Sequence, residues 1–239
     1  MLLLALVAGM ANALCAQTAD EYFMLGNNAY KKGDFARAAE NYEFAIKDGL
    51  DGAAAHFNLA NSYAKLDAKG PALLNYMKAF AQSPRSPEIA AKLEIFSRDN
   101  SLDSGLSKFP SALMYDLSDF EWTLAAFVSF WAAVLLFVLP PLFGGRTAVT
   151  IFLSLICAAI FAVSAYSLSG WRSFLNSAVA LKPDTALLLS PVANAPVNAI
   201  VSDGQIAEIK NRKDGFVYAE TPNGKAGWVC VKDLAPVSD

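Results

Sequence analysis

The longest uncharged stretches of the chain include two strongly apolar runs, residues 122–143 and 147–168. Each run is about 20 residues long, which is the length of a helix that crosses the hydrocarbon core of a bilayer. We therefore predict transmembrane helices over residues 120–143 and 147–170. Only three residues separate the runs, so the two helices should form a tight hairpin that returns the chain to the side from which it came.

The ends of this hairpin carry further signals. Pro140-Pro141 predicts that the first helix ends before this pair, because proline removes a helix hydrogen bond. Trp122 and Trp171 stand at the two outer ends, where they would suit an aromatic belt at the lipid headgroups. Neither run contains an ionisable residue of the kind that marks transport or proton relay, so we interpret the hairpin as an anchor.

Residues 1–16 combine a short apolar core with small residues, a pattern that is typical of a secretory signal peptide. We predict cleavage after Ala13 or Ala16. Lipidation of Cys15 is the alternative, although Leu14 stands before it where bacterial lipoprotein signals have a small residue. Secretion would place the following segment, and also the segment after the hairpin, on the periplasmic side of a bacterial inner membrane.

Two copies of one pattern follow the leader at an offset of 34 residues. Leu25-Gly26 corresponds to Leu59-Ala60. The same offset pairs aromatic, polar and small positions: Phe23 with Phe57, Asn27 with Asn61, Lys31 with Lys65, Ala38 with Ala72, Tyr42 with Tyr76 and Ala45 with Ala79. One position departs from it, because Ala29-Tyr30 stands where the second copy has Tyr63-Ala64. The spacing resembles that of the tetratricopeptide repeat.

This resemblance implies an all-α tetratricopeptide repeat domain over residues 19–99. It comprises repeats at 19–52 and 53–86 and a further helix, which is either a third first helix or a solvating cap. The paired leucines and tyrosines should fill the space around the small residues of each repeat. Gly33-Asp34 and Lys69-Gly70-Pro71 are predicted to make the turns, with the proline at the first position of a helix.

In this family the first helices line a concave face that binds proteins and peptides. Carried over to this chain, that face holds seven side chains: Phe23, Asn27, Tyr30, Lys31, Phe57, Asn61 and Lys65. Asparagine and lysine side chains can hold the backbone or the carboxylate of an extended peptide. The two phenylalanines stand where a dedicated carboxylate clamp would have lysine, so we favour general protein or peptide binding.

The chain after the repeats changes character twice. Residues 100–119 have few periodic signals and are interpreted as a linker, with a short interfacial helix near 111–117. Short β-prone runs separated by turn residues then extend over 176–237, a pattern that predicts a small all-β barrel. Asn223-Gly224 predicts a type I′ hairpin turn, in which both central residues have positive φ.

The run Gly224-Lys225-Ala226-Gly227-Trp228-Val229 resembles the bacterial SH3 domain, with Phe216 where many members have tryptophan. The resemblance implies an SH3-like module that binds peptides or cell-wall material and catalyses no reaction. Its candidate surface comprises Phe216, Tyr218 and Trp228, although this tryptophan is more often part of the barrel core. We expect Cys230 to be a small core residue.

Composition and charge argue against several classes of function. The formal net charge is −3 and there is no basic cluster, so we expect no binding to nucleic acid. Cys15, Cys157 and Cys230 lie in three separate segments and predict neither a disulfide framework nor a metal site. His56 is interpreted as a helix side chain rather than a ligand. We find no catalytic constellation in the sequence and expect a non-catalytic protein without a cofactor.

The order of signal peptide, tetratricopeptide repeats, two spans and bacterial SH3 domain resembles the BatE-like family of the Bacteroides aerotolerance (Bat) operon. This resemblance implies a multidomain membrane protein that serves as an adaptor in a stress-related complex. It also implies von Willebrand factor A domain membrane proteins and a MoxR-type ATPase as partners, besides the lipid bilayer. The alternative is a sensor that binds peptidoglycan through the SH3-like module.

Overall fold

The structure is a computed structural model that describes residues 18–106, 117–140, 145 and 147–238. The helices within these residues are α1 (Ala19–Lys31), α2 (Phe35–Lys47), α3 (Ala53–Lys65), α4 (Lys69–Gln82), α5 (Pro87–Asp99), α6 (Asp119–Val138) and α7 (Ala148–Leu175). The strands are β1 (Ser177–Ala180), β2 (Thr185–Leu188), β3 (Val197–Val201), β4 (Ile206–Lys213), β5 (Phe216–Glu220), β6 (Ala226–Cys230) and β7 (Leu234–Pro236). The proposed signal peptide and most of the proposed interfacial helix lie outside the described residues.

Helices α1 to α5 form the N-terminal domain that the 34-residue offset predicts. α1 pairs with α2, α3 pairs with α4, and α5 packs against α4 in the position of the first helix of a third repeat. The turns within the two repeats lie at equivalent positions, since Gly33 and Asp67 both have positive φ, of 80° and 57°. The periodicity therefore predicts the helices of both repeats.

The turn of the second repeat differs from its prediction. Helix α4 begins at Lys69, so Gly70 and Pro71 are its second and third residues, and the proline is not at the first position. Proline is tolerated there because the first N–H groups of a helix have no acceptor within that helix. Asp67 makes the turn instead, at the position that Gly33 occupies in the first repeat.

Small residues let the two helices of a repeat approach closely. A Cβ added to Gly26 would lie 2.7 Å from Tyr42 Cε1, and Ala60 is fully buried at the matching position of the second repeat. Leu59 is buried as predicted. Leu25 is 41% exposed, contrary to the prediction, because no earlier helix covers it among the described residues.

Helices α6 and α7 pack against each other, and both are long and apolar enough to cross a membrane. α6 ends before Pro140-Pro141, as predicted. α7 continues to Leu175, five residues beyond the predicted end of the second span. Helices α6 and α7 contain four buried serines. The hydroxyls of three of them donate to a carbonyl oxygen of the same helix: Ser129 to Ala126, Ser154 to Ile151 and Ser164 to Ile160.

The C-terminal segment folds into a seven-stranded antiparallel sheet with the strand order β3-β2-β6-β5-β4-β1-β7. Buried and outward-facing side chains alternate along β5 and β6, as in a sheet with one face on a core. Val217, Ala219 and Val229 belong to that core. The β-prone runs predicted five of the strands, whereas β3 and β7 were not anticipated.

The tight turns of the sheet differ from their prediction. At Asn223-Gly224 only the glycine has positive φ, of 77°, and its N–H donates to the Thr221 carbonyl oxygen. The turn with positive φ at both central residues is Asp214-Gly215, at 48° and 79°. Since Lys213 pairs directly with Phe216 across it, the type I′ geometry belongs to the β4–β5 hairpin.

One apolar core joins the repeats, the hairpin and the sheet. Phe80 of α4 stacks on Trp171 of α7 and meets the ring of Phe174 edge-on. Trp122 of α6 and Val179 of β1 are buried in the same cluster. The two tryptophans are therefore core residues rather than an exposed aromatic belt, because the outer ends of the hairpin pack against the last repeat.

The segment after α5 belongs to this junction and is not a free linker over its described part. Leu102, Leu106 and Leu117 lie against the shared core. Gly105 has positive φ and lies beside Met77 of α4 and Phe174 of α7. Residues 100–106 therefore help to close the space between the repeats and the hairpin.

The sheet also caps a helix of the repeats. The N-cap residue of α4 is Ala68, which has no side-chain oxygen to accept a hydrogen bond. Asp203, in the turn between β3 and β4, accepts a hydrogen bond from the Gly70 backbone N–H at 2.9 Å. A carboxylate at a helix N-terminus is also favoured by the helix dipole. The C-terminal module thus supplies a side-chain cap for the second helix of the second repeat.

Candidate functional site

The first helices of the repeats line a cleft of about 370 Å³. α1 contributes Tyr30, and α3 contributes Phe57 and Asn61, which are three of the seven predicted side chains. Helix α5 completes the cleft with four more residues: Glu88, Ala91, Lys92 and Ile95. The walls are aromatic and aliphatic, with one acid, one lysine and one amide, a mixture that suits an extended peptide.

The residues on α5 were missed by the sequence interpretation, although a signal for them exists. Ala91 and Ile95 stand 34 residues after Phe57 and Asn61. Leu93 stands in the same register with Leu59 and is likewise buried. Extending the repeat offset by one more step would have found Ala91 and Ile95. The signal is short because, among the described residues, the third copy shows its first helix alone.

The paired asparagines hold the two helices of each repeat together. Tyr42 Oη donates to Asn27 Oδ1 at 2.8 Å, and Tyr76 Oη donates to Asn61 Oδ1 at 2.7 Å. Asn58 Nδ2 also donates to Asn27 Oδ1. Each side-chain carbonyl therefore already has a donor. Asn61 enters the cleft with a fixed orientation, which leaves its amide N–H groups as the part that can meet a ligand.

The hydroxyls of these tyrosines stay protonated at ordinary pH, so their hydrogen bonds to the asparagines do not change with pH. Burial raises the pKa of Tyr42 to about 12 and raises the pKa of Tyr76 further. Burial also raises the pKa of Tyr63, whose hydroxyl donates to the Glu43 carboxylate of α2. All three hydroxyls therefore remain protonated donors under neutral conditions.

The remaining predicted residues of the concave face lie elsewhere. Phe23 packs against the Tyr42 ring, with centroids 5.6 Å apart, inside the core of the first repeat. Lys31 and Lys65 are exposed in the last turns of α1 and α3 and do not line the cleft. Asn27 is occupied by its hydrogen bonds to the second helix and to α3.

His56 is a structural side chain of the second repeat. It is buried, with Nδ1 2.8 Å from Asn75 Oδ1 and Nε2 2.6 Å from Asp51 Oδ1. Asn75 Nδ2 donates in turn to the Pro71 carbonyl oxygen. These contacts join α3 to α4 and to the preceding loop. Among the described residues, no group of three or more His, Cys, Asp or Glu side chains could hold a metal ion.

The predicted surface of the C-terminal module is an aromatic row on the outward face of the sheet. Phe216 pairs with Cys230, and Tyr218 pairs with Trp228, across β5 and β6. The Tyr218 and Trp228 rings meet edge-to-face at 5.4 Å. All four residues are half-buried, and the residues between them face the core. Trp228 and Cys230 are therefore not core residues, because strand alternation turns them outward.

Comparison with known families identifies one part of the chain. Residues 23–87 match the family model of the tetratricopeptide repeat, which spans both repeats and the first residue of α5. The N-terminal helices are therefore tetratricopeptide repeats, a class of protein-interaction module. No curated protein matches the chain.

Proposed function

We propose that this protein is a non-catalytic, membrane-anchored adaptor that binds a protein or peptide segment in the cleft between α1, α3 and α5. The observation that carries the proposal is the composition of the cleft within a tetratricopeptide repeat domain. Tyr30, Phe57 and Ile95 offer apolar contacts for side chains of an extended segment. Asn61 offers amide hydrogens for its backbone carbonyl groups.

The hairpin supports a location in a membrane. In the most apolar windows of α6 and α7 only 17% and 11% of the residues are buried. Their exposed side chains are mainly phenylalanine, leucine, isoleucine and valine. Water-soluble proteins rarely expose so large an apolar surface, whereas lipid accommodates it. We propose that α6 and most of α7 cross a bacterial inner membrane.

The shared core supports one orientation for both soluble parts. Since the last repeat and β1 pack around the outer ends of α6 and α7, both must lie on the same side of the membrane. We propose that this side is the periplasm. Alkaline phosphatase fused after Asp239 should then be active, with a fusion after residue 145 as the inactive control. An inactive C-terminal fusion that is expressed normally would contradict this orientation.

The proposed partners follow from the resemblance to the BatE-like family. They are von Willebrand factor A domain membrane proteins and a MoxR-type ATPase in a complex that serves aerotolerance or stress resistance. The SH3-like module would add a second protein-binding surface, at Phe216, Tyr218 and Trp228. Because the sheet is fixed to the last repeat, the two surfaces would keep a constant separation.

A photo-crosslinking amino acid at Ala91 tests the cleft in cells. Ala91 lines the cleft and is exposed, and Glu94, exposed on the same helix but outside the cleft, serves as the control position. We expect Ala91 to crosslink a von Willebrand factor A domain protein and Glu94 to crosslink much less of it. Ile95→Asp should reduce the Ala91 crosslink about tenfold, since a charge would enter an apolar wall. Equal crosslinking from both positions would refute binding in the cleft.

A second candidate function is the binding of peptidoglycan by the C-terminal module. The aromatic row on the outward face of the sheet favours it, because aromatic faces can stack on sugar rings. The test is sedimentation of the detergent-solubilised full chain with purified peptidoglycan. Binding that is lost in Trp228→Ala and kept in Ile95→Asp would support the sensor. If the wild-type chain does not bind peptidoglycan, protein binding within the adaptor remains the proposed function of this surface.

A further inference from the structure

The first repeat presents a face that is covered in the second repeat. Leu25 of α1 is 41% exposed, whereas its equivalent Leu59 of α3 is 3% exposed. The difference arises because α2 of the preceding repeat packs on α3. Phe44 of α2, whose ring contacts Tyr22, is also 41% exposed on this side. Stacked repeats need their ends covered, so this face lacks the neighbour that the second repeat has.

The shifted aromatic residue of the first repeat also leaves space on this face. In the second repeat Tyr63 donates to Glu43 of the preceding helix α2. The equivalent position in the first repeat is Ala29, and its small side chain leaves a hollow of about 390 Å³ between α1 and α2. The hollow is lined by seven residues: Leu25, Asn28, Ala29, Lys32, Asp34, Arg37 and Asn41. It offers room for a large side chain from a neighbouring molecule.

We define the N-terminal face as the stripe of Tyr22, Leu25, Ala29 and Lys32 on α1 and of Arg37, Asn41 and Phe44 on α2. Its two ends carry opposite charge. At the end with Tyr22 and Phe44, the first turn of α1 carries Asp20 and Glu21, and the last turn of α2 with its C-cap carries Lys47 and Asp48. The hollow at the other end is lined by two bases and one acid: Lys32, Arg37 and Asp34. The face is therefore complementary to a second copy of itself in the antiparallel direction.

We propose that the N-terminal face is a homodimer interface, in which two copies pack with their first repeats antiparallel across a two-fold axis. Phe44 of each copy then lies at the hollow beside Ala29 of the other. Arg37 of each copy lies near Asp48 of the other. Such an isologous contact buries the same face on both copies and closes at two.

The other end of the repeat stack explains why the contact is between like faces. Helix α4 is covered by α5, by the ends of α6 and α7 and by the sheet. A second copy therefore cannot add its first repeat to that end, and repeats cannot continue head-to-tail from chain to chain. Of the two ends of the stack, the N-terminal face is the one that the described residues leave open to a second copy.

Charge reversal tests the arrangement in the full chain, purified in detergent. Light scattering and sedimentation should give the mass of a dimer for the wild type. Arg37→Glu and Asp48→Lys should each weaken dimerisation at least about tenfold, a loss typical of interface charge repulsion. The double variant should restore it. These residues lie at opposite ends of α2, so restoration requires the antiparallel contact between copies. Ile95→Asp, in the cleft of the proposed adaptor, should leave the dimer intact.

Three outcomes would overturn the proposal. The first is a wild-type monomer at all concentrations tested. The second is a dimer that neither charge reversal weakens. The third is a monomer that dimerises only after residues 1–17 are removed, since that segment would then cover the face in its own chain. Each outcome leaves the cleft and its crosslinking test unaffected, so the two proposals can fail separately.

Discussion

Gly70 and Asp203 determine, at the scale of single residues, how the sheet meets the repeats. The Gly70 N–H donates to Asp203 Oδ1. A Cβ on Gly70 would collide with the Ala180 carbonyl oxygen and the Asp203 carboxylate. Only glycine allows the end of α4 to approach the sheet this closely. Its sequence neighbours suggested a turn, because its actual partner lies 133 residues further along the chain.

Gly70→Ala should lower the free energy of unfolding by about 1–3 kcal/mol, the usual cost of an added methyl group in a packed site. Thermal unfolding followed by circular dichroism measures the loss. Gly52→Ala is the matched control, because Gly52 has a φ of −122° and nothing within 4 Å of an added Cβ. Equal melting temperatures for the two variants would contradict the close approach.

The buried tyrosines predict a loss of stability at high pH. In the unfolded chain their pKa is near 10, and in the folded chain the pKa of Tyr42 is about 12 and that of Tyr76 is also raised. Between these values the folded chain holds more protons than the unfolded chain, so stability falls as the pH rises. Below pH 10 the contribution is complete.

We expect the tyrosinate absorbance of these two residues to appear together with the loss of helical circular dichroism, well above pH 10. The double variant Tyr42→Phe/Tyr76→Phe is the control, because it keeps the rings and removes the hydroxyls. It should be less stable at neutral pH by about 1 kcal/mol for each lost hydrogen bond. Ionisation of both tyrosines near pH 10 with the helices intact would show that they are not buried.

At the scale of elements, the strand register determines which of two similar dipeptides of the sheet adopts the type I′ turn. Asp214-Gly215 and Asn223-Gly224 are both hairpin dipeptides. Only the first is flanked by residues that pair directly, Lys213 with Phe216, so only it needs positive φ at both positions. The loop after β5 closes through Thr221, which both donates to and accepts from Lys225.

Gly215→Ala should cost about 1–2 kcal/mol, because a non-glycine residue is strained at a φ of 79°. Nothing lies within 4 Å of its added Cβ, so the effect is one of backbone conformation alone. Asn223→Ala should leave stability nearly unchanged, since Asn223 does not have positive φ. Chemical denaturation followed by tryptophan fluorescence compares the two. The opposite ranking would place the type I′ turn at the second dipeptide.

The whole molecule behaves as one unit because its core crosses the boundaries of the sequence segments. The last turns of α7 carry Trp171 and Phe174 into the space beside Phe80 of the last repeat. The rest of α7 remains exposed, as a membrane-spanning helix would be. The repeats, the two apolar helices and the sheet therefore form a single continuous structure.

Trp171→Ala should destabilise this junction by about 3–5 kcal/mol, the usual cost of removing a buried aromatic side chain. Hydrogen exchange measured by mass spectrometry should show loss of protection in α4, α5 and β1 together. Trp131→Ala is the matched control, because Trp131 lies exposed on α6. If exchange increased only within α7, the repeats, the hairpin and the sheet would be independent units.

The sequence by itself predicted the helices of both repeats, the two apolar helices, and five of the seven strands. These follow from periodicity, length and turn residues, which are local properties of the chain. Three of the seven predicted cleft residues line the cleft, namely Tyr30, Phe57 and Asn61. The offset that relates the two repeats also leads from Phe57 and Asn61 to Ala91 and Ile95, two of the four cleft residues on α5 that were missed.

Only the tertiary structure decided which side chains are free to act. In the structure Trp228 and Cys230 face outward, and Trp122 and Trp171 lie in a core. The Asn27 side chain is hydrogen-bonded to neighbouring helices. The physical reason is that each of these outcomes depends on partners far away in the chain. Neither spacing nor composition records which helix end the sheet will cap, or which face a missing neighbour leaves exposed.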